Sequence, residues 1–574
     1  MHEDRRTGNR DPLHHSPPLR AIVALAIAAT LLAGCAAFTS MTGRSRDLRE
    51  AERRAPAKAD LRQAHLLFDD LGTLDTHALE SVASPWKLYS TALLLSTAPS
   101  LGLPIESSSI RPVLEHFGFL YPDSIGNWDR AAGPQPRFDA PLGQTRAQIH
   151  GFLPGIGVEV RNNGCMTCHS GRVYDAQGMP TRVAWAGLPS VSIDLEAYSR
   201  AIFEGLKLGM RNEKEFFATM RRVHPDMGWG ERYAYRHQIF PRLRRELPKI
   251  VESRDRPLAF DNGGPGLTNG VAALKLQLGL IPRTTYATTE QALTSIPDLA
   301  DRAFRTSLLY DGTYVVRGHP RFATVTRAQA TADAAARHAE IVAFFTMGTA
   351  GNDAETAERM IPRVADMMRV LTGYYPPPFP GVRDDSLAAR GRATFETRCA
   401  QCHGRYDDDL TQPRLLEYPN RLVSEARIGT DSLRWKLVDN TVLAWQVAHP
   451  RHPFVRHVET ERTGGYVAPI LSGLWATAPY LHNGSVPTLW HLMHAEQRPA
   501  RFEVGGHRLD YEKMGIALEA SGDAMRYPTG YRAVSRSEIY DTSMPGRSNA
   551  GHEHPFAGLS ESEKSALLEY LKRL

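Results

Sequence analysis

Two short stretches of the sequence carry the same spacing of cysteine and histidine. The first reads Cys-Met-Thr-Cys-His over residues 165–169, and the second reads Cys-Ala-Gln-Cys-His over residues 399–403. Cys-x-x-Cys-His is the attachment signature of c-type haem. Positions i, i+3 and i+4 of a helical turn lie on one face, so both thiols reach the porphyrin while the histidine reaches the iron. We therefore predict two covalently bound haem c groups, each carrying an iron ion.

The two motifs supply all of the predicted cofactor-binding residues. These are Cys165, Cys168, His169, Cys399, Cys402 and His403. His169 and His403 are the predicted proximal iron ligands. The chain has five cysteines, and the fifth, Cys35, lies near the N-terminus, so none remains for a disulfide or a catalytic thiol.

Two alternatives use the same cysteines without haem. The two pairs would form a structural zinc site with four thiolates if they met in the fold. Either pair alone would form a thioredoxin-like redox site. The histidine that directly follows both pairs favours haem over these alternatives.

The first 35 residues have the pattern of an export signal. Arginines precede an apolar run at residues 21–34, which is short for a membrane-spanning helix. The tetrapeptide Leu-Ala-Gly-Cys at 32–35 resembles a bacterial lipoprotein box. That resemblance implies lipidation of Cys35 and anchoring in the cell envelope, facing the periplasm. Ala36 after the cysteine favours the outer membrane.

Size and charge limit the remaining classes of protein. The 574 residues exceed what a single core accommodates, so we expect at least two domains. The formal net charge is +5 and both signs are interspersed, which gives no indication of nucleic-acid binding.

A proline-rich stretch at 373–381 is typical of a stiff linker. The predicted segments are a signal peptide at 1–34, a tether at 35–60, an N-terminal cytochrome c-like haem domain with insertions at 61–382 and a C-terminal cytochrome c domain at 383–574.

Helical patterns surround the haem motifs. Asp194 is a predicted cap for a helix that begins at residue 195, and the alanine-rich residues 328–346 predict another helix. A helix is predicted at 354–372, with Pro362 kinking or restarting it, and a further helix leads into the second haem motif. Ser560 and Glu563 have the spacing of a capping box. The predicted fold class is mostly α, with two cytochrome c-like haem domains and long loop-rich insertions.

Further motifs extend the pattern beyond the haem sites. They are "RIGTD" at 427–431, "LSGLWATAPYLHNGSVPTLWHLM" at 471–493 and "NAGHEHPF" at 549–556. With them, the chain from about residue 105 onward resembles the bacterial di-haem cytochrome c peroxidase superfamily. The most similar branch contains the di-haem rubber oxygenase and fatty-acid dioxygenases.

The resemblance implies a division of labour between the two haems. An accessible N-terminal haem would bind peroxide or dioxygen, and a C-terminal haem with two protein ligands would transfer electrons. The implied function is a haem-dependent peroxidase or oxygenase, and the alternative is a non-enzymatic electron-transfer cytochrome. Implied partners are a periplasmic electron donor or acceptor and peroxide, dioxygen or an apolar organic substrate. The only expected membrane contact is the lipid anchor, and no catalytic residue is assigned.

The resemblance also places the second ligand of the C-terminal haem shortly before the last helix. The matching segment makes His552 the predicted ligand, with His554 as a neighbouring alternative and His482 and Met493 as competitors. We expect His482 to be a structural or haem-propionate contact. No distal ligand is assigned to the N-terminal haem.

Three aromatic residues complete the set of candidates. We interpret Trp185 and Trp475 as residues that pack in the core or at a haem edge, and electron transfer between the haems is the alternative. Tyr310, in "LLYDGT", stands where the related family has a tryptophan.

Overall fold

The structure is a computed structural model that describes residues 84–574 except 129, 131–134, 136–137 and 151–156. The predicted signal peptide, the tether and the lipidation site Cys35 lie outside the described residues. Among the described helices, none combines the length and the apolar composition needed to cross a lipid bilayer.

Helix accounts for 41% and strand for 15% of the structure, so the fold mixes the two. The expectation of a mostly α fold is therefore corrected. Stretches interpreted as loop-rich insertions form strands of only two to seven residues. Most of these strands have two to four residues, which is too few for a period-two pattern to be recognised in the sequence.

The helices are numbered in chain order over the described residues. Helices α1 to α10 span Trp86–Thr97, Ile110–His116, Cys165–Cys168, Leu195–Arg211, Glu213–Val223, Trp229–Ala234, Phe240–Ser253, Gly270–Gln277, Ala332–Arg337 and Ala339–Ala350. Helices α11 to α19 span Ala354–Leu371, Asp385–Arg398, Ala400–His403, Glu425–Ile428, Leu433–Lys436, Asn440–Ala448, Pro453–His457, Leu489–Met493 and Glu561–Leu571. A π-helical turn, Tyr235–Ile239, joins α6 to α7.

The strands form several small sheets rather than one large one. Strands β1 to β11 span Ser84–Pro85, Ser124–Ile125, Gln144–His150, Gly157–Asn163, Ser170–Tyr174, Pro180–Ala186, Leu267–Thr268, Thr294–Ser295, Tyr314–Val316, Val325–Thr326 and Arg405–Tyr406. Strands β12 to β21 span Leu415–Tyr418, Leu422–Ser424, Val458–Thr460, Gly465–Val467, Arg501–Val504, Leu509–Asp510, Gly515–Ile516, Glu519–Ser521, Ala524–Arg526 and Glu538–Asp541. The strand orders are β1-β4-β3, β2-β6-β5, β7-β8, β14-β9, β10-β12-β11, β13-β15, β17-β18 and β19-β20-β16-β21.

Two helices frame the second haem motif. Helix α12 leads into it, and α19 crosses α12 so closely that a Cβ on Gly391 would overlap the carbonyl oxygen of Ala566. Beside the crossing, the rings of Phe395 and Tyr570 lie 5.2 Å apart between centroids. Ser560 caps α19 through the predicted capping box with Glu563.

A similar crossing stands beside the first haem motif. Helix α4 begins after Asp194, whose side chain accepts a hydrogen bond from the Ala197 N–H, as predicted. A Cβ on Gly205 of this helix would overlap the carbonyl oxygen of Ala92 in α1. Each haem motif therefore has a pair of helices that touch at a glycine.

The segments that follow the first motif connect the two halves of the chain. Strand β9 pairs with β14, and β10 pairs with β12, so two antiparallel pairings cross the predicted boundary at residues 382 and 383. The alanine-rich prediction at 328–346 corresponds to two helices, α9 and α10, separated at His338. Helix α11 runs on through Pro362, so a restart there is not observed.

Candidate haem sites

Both Cys-x-x-Cys-His motifs form a single helical turn. The His169 N–H donates to the Cys165 carbonyl at 2.9 Å, and the His403 N–H donates to the Cys399 carbonyl at 3.0 Å. These are the i to i−4 bonds of an α-helix. They place the two cysteines and the histidine of each motif on one face, as the spacing predicts.

The ring of His403 is oriented by a backbone carbonyl. Its Nδ1 lies 2.8 Å from the Pro469 oxygen. A carbonyl oxygen only accepts hydrogen bonds, so Nδ1 carries the proton and Nε2 keeps its lone pair for a metal. Burial lowers the pKa of this imidazole and so also favours the neutral form that binds iron.

His552 faces His403 at the distance expected for two ligands of one iron. The ring centroids lie 6.1 Å apart, with 59° between the ring planes. Metal–nitrogen bonds of about 2 Å, with about 1 Å from each nitrogen to its ring centre, put two opposed imidazoles about 6 Å apart. Burial, followed by the charge of His403, lowers the pKa of His552 to about 3, so the ring is neutral near pH 7.

The loop that carries His552 is held by backbone contacts. The His552 N–H donates to the Ile428 carbonyl at 2.7 Å. Nη1 of Arg498 donates to the carbonyls of Asn549 and Gly551 at 2.6 and 2.9 Å. His552 itself has φ 63, a left-handed conformation that is uncommon outside glycine, so the surrounding contacts fix its direction.

Gly551 explains why the "RIGTD" segment lies beside this loop. Gly551 has φ 90, and a Cβ there would overlap backbone atoms of Gly429 and Thr430. Only glycine therefore permits residues 427–431 to pack directly against the ligand loop. The two motifs singled out in the sequence form one local unit.

The other candidate ligands do not face His403. His554 is exposed to solvent. His482 is buried and stacks on Tyr466, with 4.2 Å between centroids, and its Nε2 lies 3.1 Å from the Tyr466 hydroxyl. That hydroxyl donates to the Asp431 carbonyl, so it accepts from His482. Met493 is buried in the core of the C-terminal half.

His169 of the first motif is partly buried and lies near an arginine. Burial and then the charge of Arg302 lower the pKa of His169 to about 4, and the nearby Pro297 carbonyl partly opposes this. Nδ1 of His169 still has no partner of full hydrogen-bond geometry among the described residues. No described histidine ring pairs with His169 as His552 pairs with His403.

Arg302 provides an unused donor beside this motif. Its buried Nε has no partner among the described residues. Nearby, the Asp298 carboxylate accepts from the Tyr374 hydroxyl at 2.9 Å, and burial raises the pKa of Asp298 to about 7. A haem carries propionate carboxylates, and a guanidinium with a free donor suits such a group. Arg302 was missed in the sequence because nothing in its neighbours separates it from other arginines.

The four thiols are partly buried, and their surroundings favour the uncharged form. Burial raises the pKa of Cys165 to about 11 and the pKa values of Cys168 and Cys399 to about 12. Burial also raises the pKa of Cys402. Reactive cysteines need the opposite shift, so these surroundings disfavour a thioredoxin-like pair.

The two cysteine pairs lie in different parts of the protein. Cys165 and Cys168 pack against cores of the N-terminal half, and Cys399 packs against the core of the C-terminal half. Over the part of the chain that the structure describes, no three His, Cys, Asp or Glu side chains converge as a metal cluster. The pairs therefore do not form a joint four-thiolate site. The donors present fit one haem c per motif.

One tryptophan from each half of the chain donates a hydrogen bond to the proline-rich linker. Nε1 of Trp185 donates to the Tyr375 carbonyl at 2.9 Å, and Nε1 of Trp475 donates to the Pro377 carbonyl at 3.0 Å. Trp475 also packs edge-on against Phe379. These contacts support the packing interpretation. Tyr310 donates or accepts a hydrogen bond with Ser295 at 2.9 Å between the oxygens.

Comparison with known proteins supports the cytochrome assignment in the C-terminal half. Residues 465–503 match the family described as "RoxA-like, cytochrome c-like", so this segment is similar to rubber oxygenase-like cytochromes. The chain is 31% identical over 208 residues to the uncharacterised protein y4iM of Sinorhizobium fredii, covering 32% of this chain and 44% of that protein. It is 30% identical over 263 residues to the uncharacterised protein y4iJ of the same organism, covering 36% and 42%. The chain thus spans less than half the length of these relatives.

Proposed function

We propose that the protein is a di-haem c-type cytochrome that oxidises an apolar organic substrate at its N-terminal haem. The observation that carries the proposal is the asymmetry between the motifs. His403 faces a second imidazole, whereas His169 has no such partner among the described residues. An iron with two protein ligands changes redox state without binding substrate, and an iron with one keeps a coordination position for a small molecule.

The residues of the chain divide the work accordingly. Pro469 and the loop held by Arg498 orient His403 and His552 for the electron-transfer haem. His169 would hold the other haem, and Arg302, whose buried Nε has no partner among the described residues, would bind a propionate. When bound, haem supplies the redox chemistry, while the protein sets which iron is accessible.

Oxygenation is the reaction that the comparisons favour. The match of residues 465–503 to the family described as "RoxA-like, cytochrome c-like" supports a reaction like that of the rubber oxygenases. We infer that dioxygen is the oxidant and that the substrate is a long unsaturated hydrocarbon chain, with a periplasmic protein as electron donor. The location inferred is the periplasmic side of the envelope, with Cys35 lipidated.

Carbon monoxide tests the asymmetry directly. Added to the dithionite-reduced, haem-loaded protein, it should shift the absorption of one haem per chain. No shift would mean that both irons have two strong ligands, which is the non-enzymatic electron-transfer alternative. A shift of both haems would remove the role of His552.

Oxygen consumption then separates the two reactions. With oleate as a model substrate, we expect oxygen uptake and an oxygenated product without added peroxide. Turnover that requires peroxide and leaves oleate unchanged would identify a peroxidase instead.

A further inference from the structure

An exposed helix face in the N-terminal half presents aromatic and basic side chains together. Trp229 is 67% exposed and Tyr233 is 46% exposed. Arg232, Arg236 and His237 are exposed beside them. These five residues, on α6 and the π-helical turn, are called the aromatic-basic ridge.

The ridge is not needed to hold its helices in place. The opposite face of this segment and of the following α7 is buried, through Tyr235, Phe240, Leu243 and Leu247. Within the ridge, the only ring contact among the described residues is Tyr233 with His237, at 4.8 Å between centroids. Leaving a tryptophan in water forgoes roughly 2 kcal/mol of burial, so its exposure is typical of a binding surface.

The charge around the ridge is positive because its acidic residues are already paired. Residues 229–249 contain six basic and two acidic side chains. Glu231 is buried against Lys87 at 2.7 Å, and Glu246 binds Arg245 and Lys249 at 2.8 and 3.0 Å.

The arginines of the ridge itself remain available. Arg232 and Arg236 have no acidic partner among the described residues. Two free guanidinium groups thus alternate with two exposed aromatic rings along one helix face.

We propose that the aromatic-basic ridge docks on the surface of an anionic phospholipid membrane. Tryptophan and tyrosine favour the boundary between headgroups and acyl chains, where the ring is apolar and the polar atom stays hydrated. Each arginine near an anionic lipid surface adds about 1 kcal/mol of attraction. The ridge offers both kinds of side chain along one helix face. This contact is separate from the haem chemistry and adds to the lipid anchor expected at Cys35.

Radiolytic footprinting of the full, haem-loaded chain tests this docking. Oxidation of Trp229 and Tyr233 is measured with phosphatidylglycerol vesicles, with phosphatidylcholine vesicles and without lipid. We expect at least a threefold slower oxidation of both residues on phosphatidylglycerol only, reversed by 0.5 M salt because screening removes the attraction (the Debye length falls to about 4 Å). Met544, which is 55% exposed, serves as the internal reference and should not change.

Charge variants provide the matched comparison. The double variant Arg232→Glu, Arg236→Glu should lose the shielding, and the variant Arg526→Glu, Arg532→Glu, which changes exposed arginines elsewhere, should keep it. Equal shielding on both lipids would assign the effect to the anchor alone and overturn the proposal. Shielding without lipid that grows with protein concentration would assign the ridge to a second copy of the chain, which also overturns it.

Discussion

Two imidazoles define the candidate C-terminal haem site at the scale of single residues. His403 is fixed by the Pro469 carbonyl, and His552 is fixed by its left-handed backbone and by the contacts of its loop. Among the residues that the structure describes, no side chain accepts a hydrogen bond from either ring. The backbone thus sets the geometry, and the side chains at the site are free to serve as ligands.

Replacing His552 by alanine should open the second iron. We expect the variant to show high-spin absorption at that haem and to bind carbon monoxide at two haems per chain, because one strong ligand is lost. Absorption spectra of the oxidised and reduced protein measure this. His554→Ala is the matched control and should leave the spectrum unchanged, since His554 is exposed. An unchanged spectrum in His552→Ala would instead point to another ligand.

A second prediction at the scale of single residues concerns a buried histidine outside the candidate haem sites. His507 is 1% exposed, stacks on Tyr174, and has no hydrogen-bond partner for either ring nitrogen among the described residues. An unsatisfied buried polar group costs about 1–3 kcal/mol. His507→Phe should therefore raise the free energy of unfolding at pH 8 by about 1 kcal/mol.

The pH dependence of this variant has a defined sign. Burial lowers the pKa of His507 to about 4, below the unfolded value near 6.5. Above pH 6.5 the titration of His507 costs the wild type no stability. As pH falls from there towards 4, the free energy of unfolding of the wild type decreases, because the unfolded chain binds a proton that the folded chain does not. The advantage of His507→Phe should thus grow on acidification, by up to about 1.4 kcal/mol per pH unit. Denaturant unfolding at several pH values measures it, and a shrinking advantage would contradict the assignment.

At the scale of elements, helix crossings at glycine position both haem motifs. Gly391→Ala in α12 should destabilise the protein by about 1–3 kcal/mol or more, because the new methyl group meets the Ala566 backbone rather than a movable side chain. Gly270→Ala, at the start of α8, is the control, since nothing lies within 4 Å of its added Cβ. Thermal unfolding of the two variants should separate them clearly. Equal unfolding temperatures would remove the crossing as a source of stability.

Elements that are determined by neighbouring residues were predictable from the sequence, and features that depend on contacts between distant residues were not. The caps at Asp194 and Ser560 lie next to the backbone that they satisfy, so the sequence revealed them. At the break between α9 and α10, the His338 ring hydrogen-bonds the carbonyl of Arg305, a distant contact that no local pattern indicates.

In the candidate haem sites, too, local spacing was predictable from the sequence and contacts between distant residues were not. The spacing of cysteines and histidine fixed both attachment turns, and resemblance singled out His552. Pro469 was missed because it contributes a backbone carbonyl, which any residue type provides. Arg498 was missed because the carbonyls that its guanidinium binds lie 51 and 53 residues further along the chain. Free donors such as Arg302 become visible only when burial and neighbours are known.

At the scale of the whole molecule, the linker and the strands couple the two haem motifs. Trp185 and Trp475, one from each half, donate to carbonyls of the same three-residue stretch of linker. Strand pairings β9 with β14 and β10 with β12 add direct connections. The two motifs are therefore parts of one connected framework, as the proposed electron transfer between two haems would require.

The mass of the mature protein tests the central claim most directly. Protein produced in a host that attaches c-type haem should exceed the mass of its processed, lipidated polypeptide by two haems. Peptides containing residues 165–168 and 399–402 should each carry one of them. A mass without haem, or with a single haem on one motif, would contradict a di-haem cytochrome.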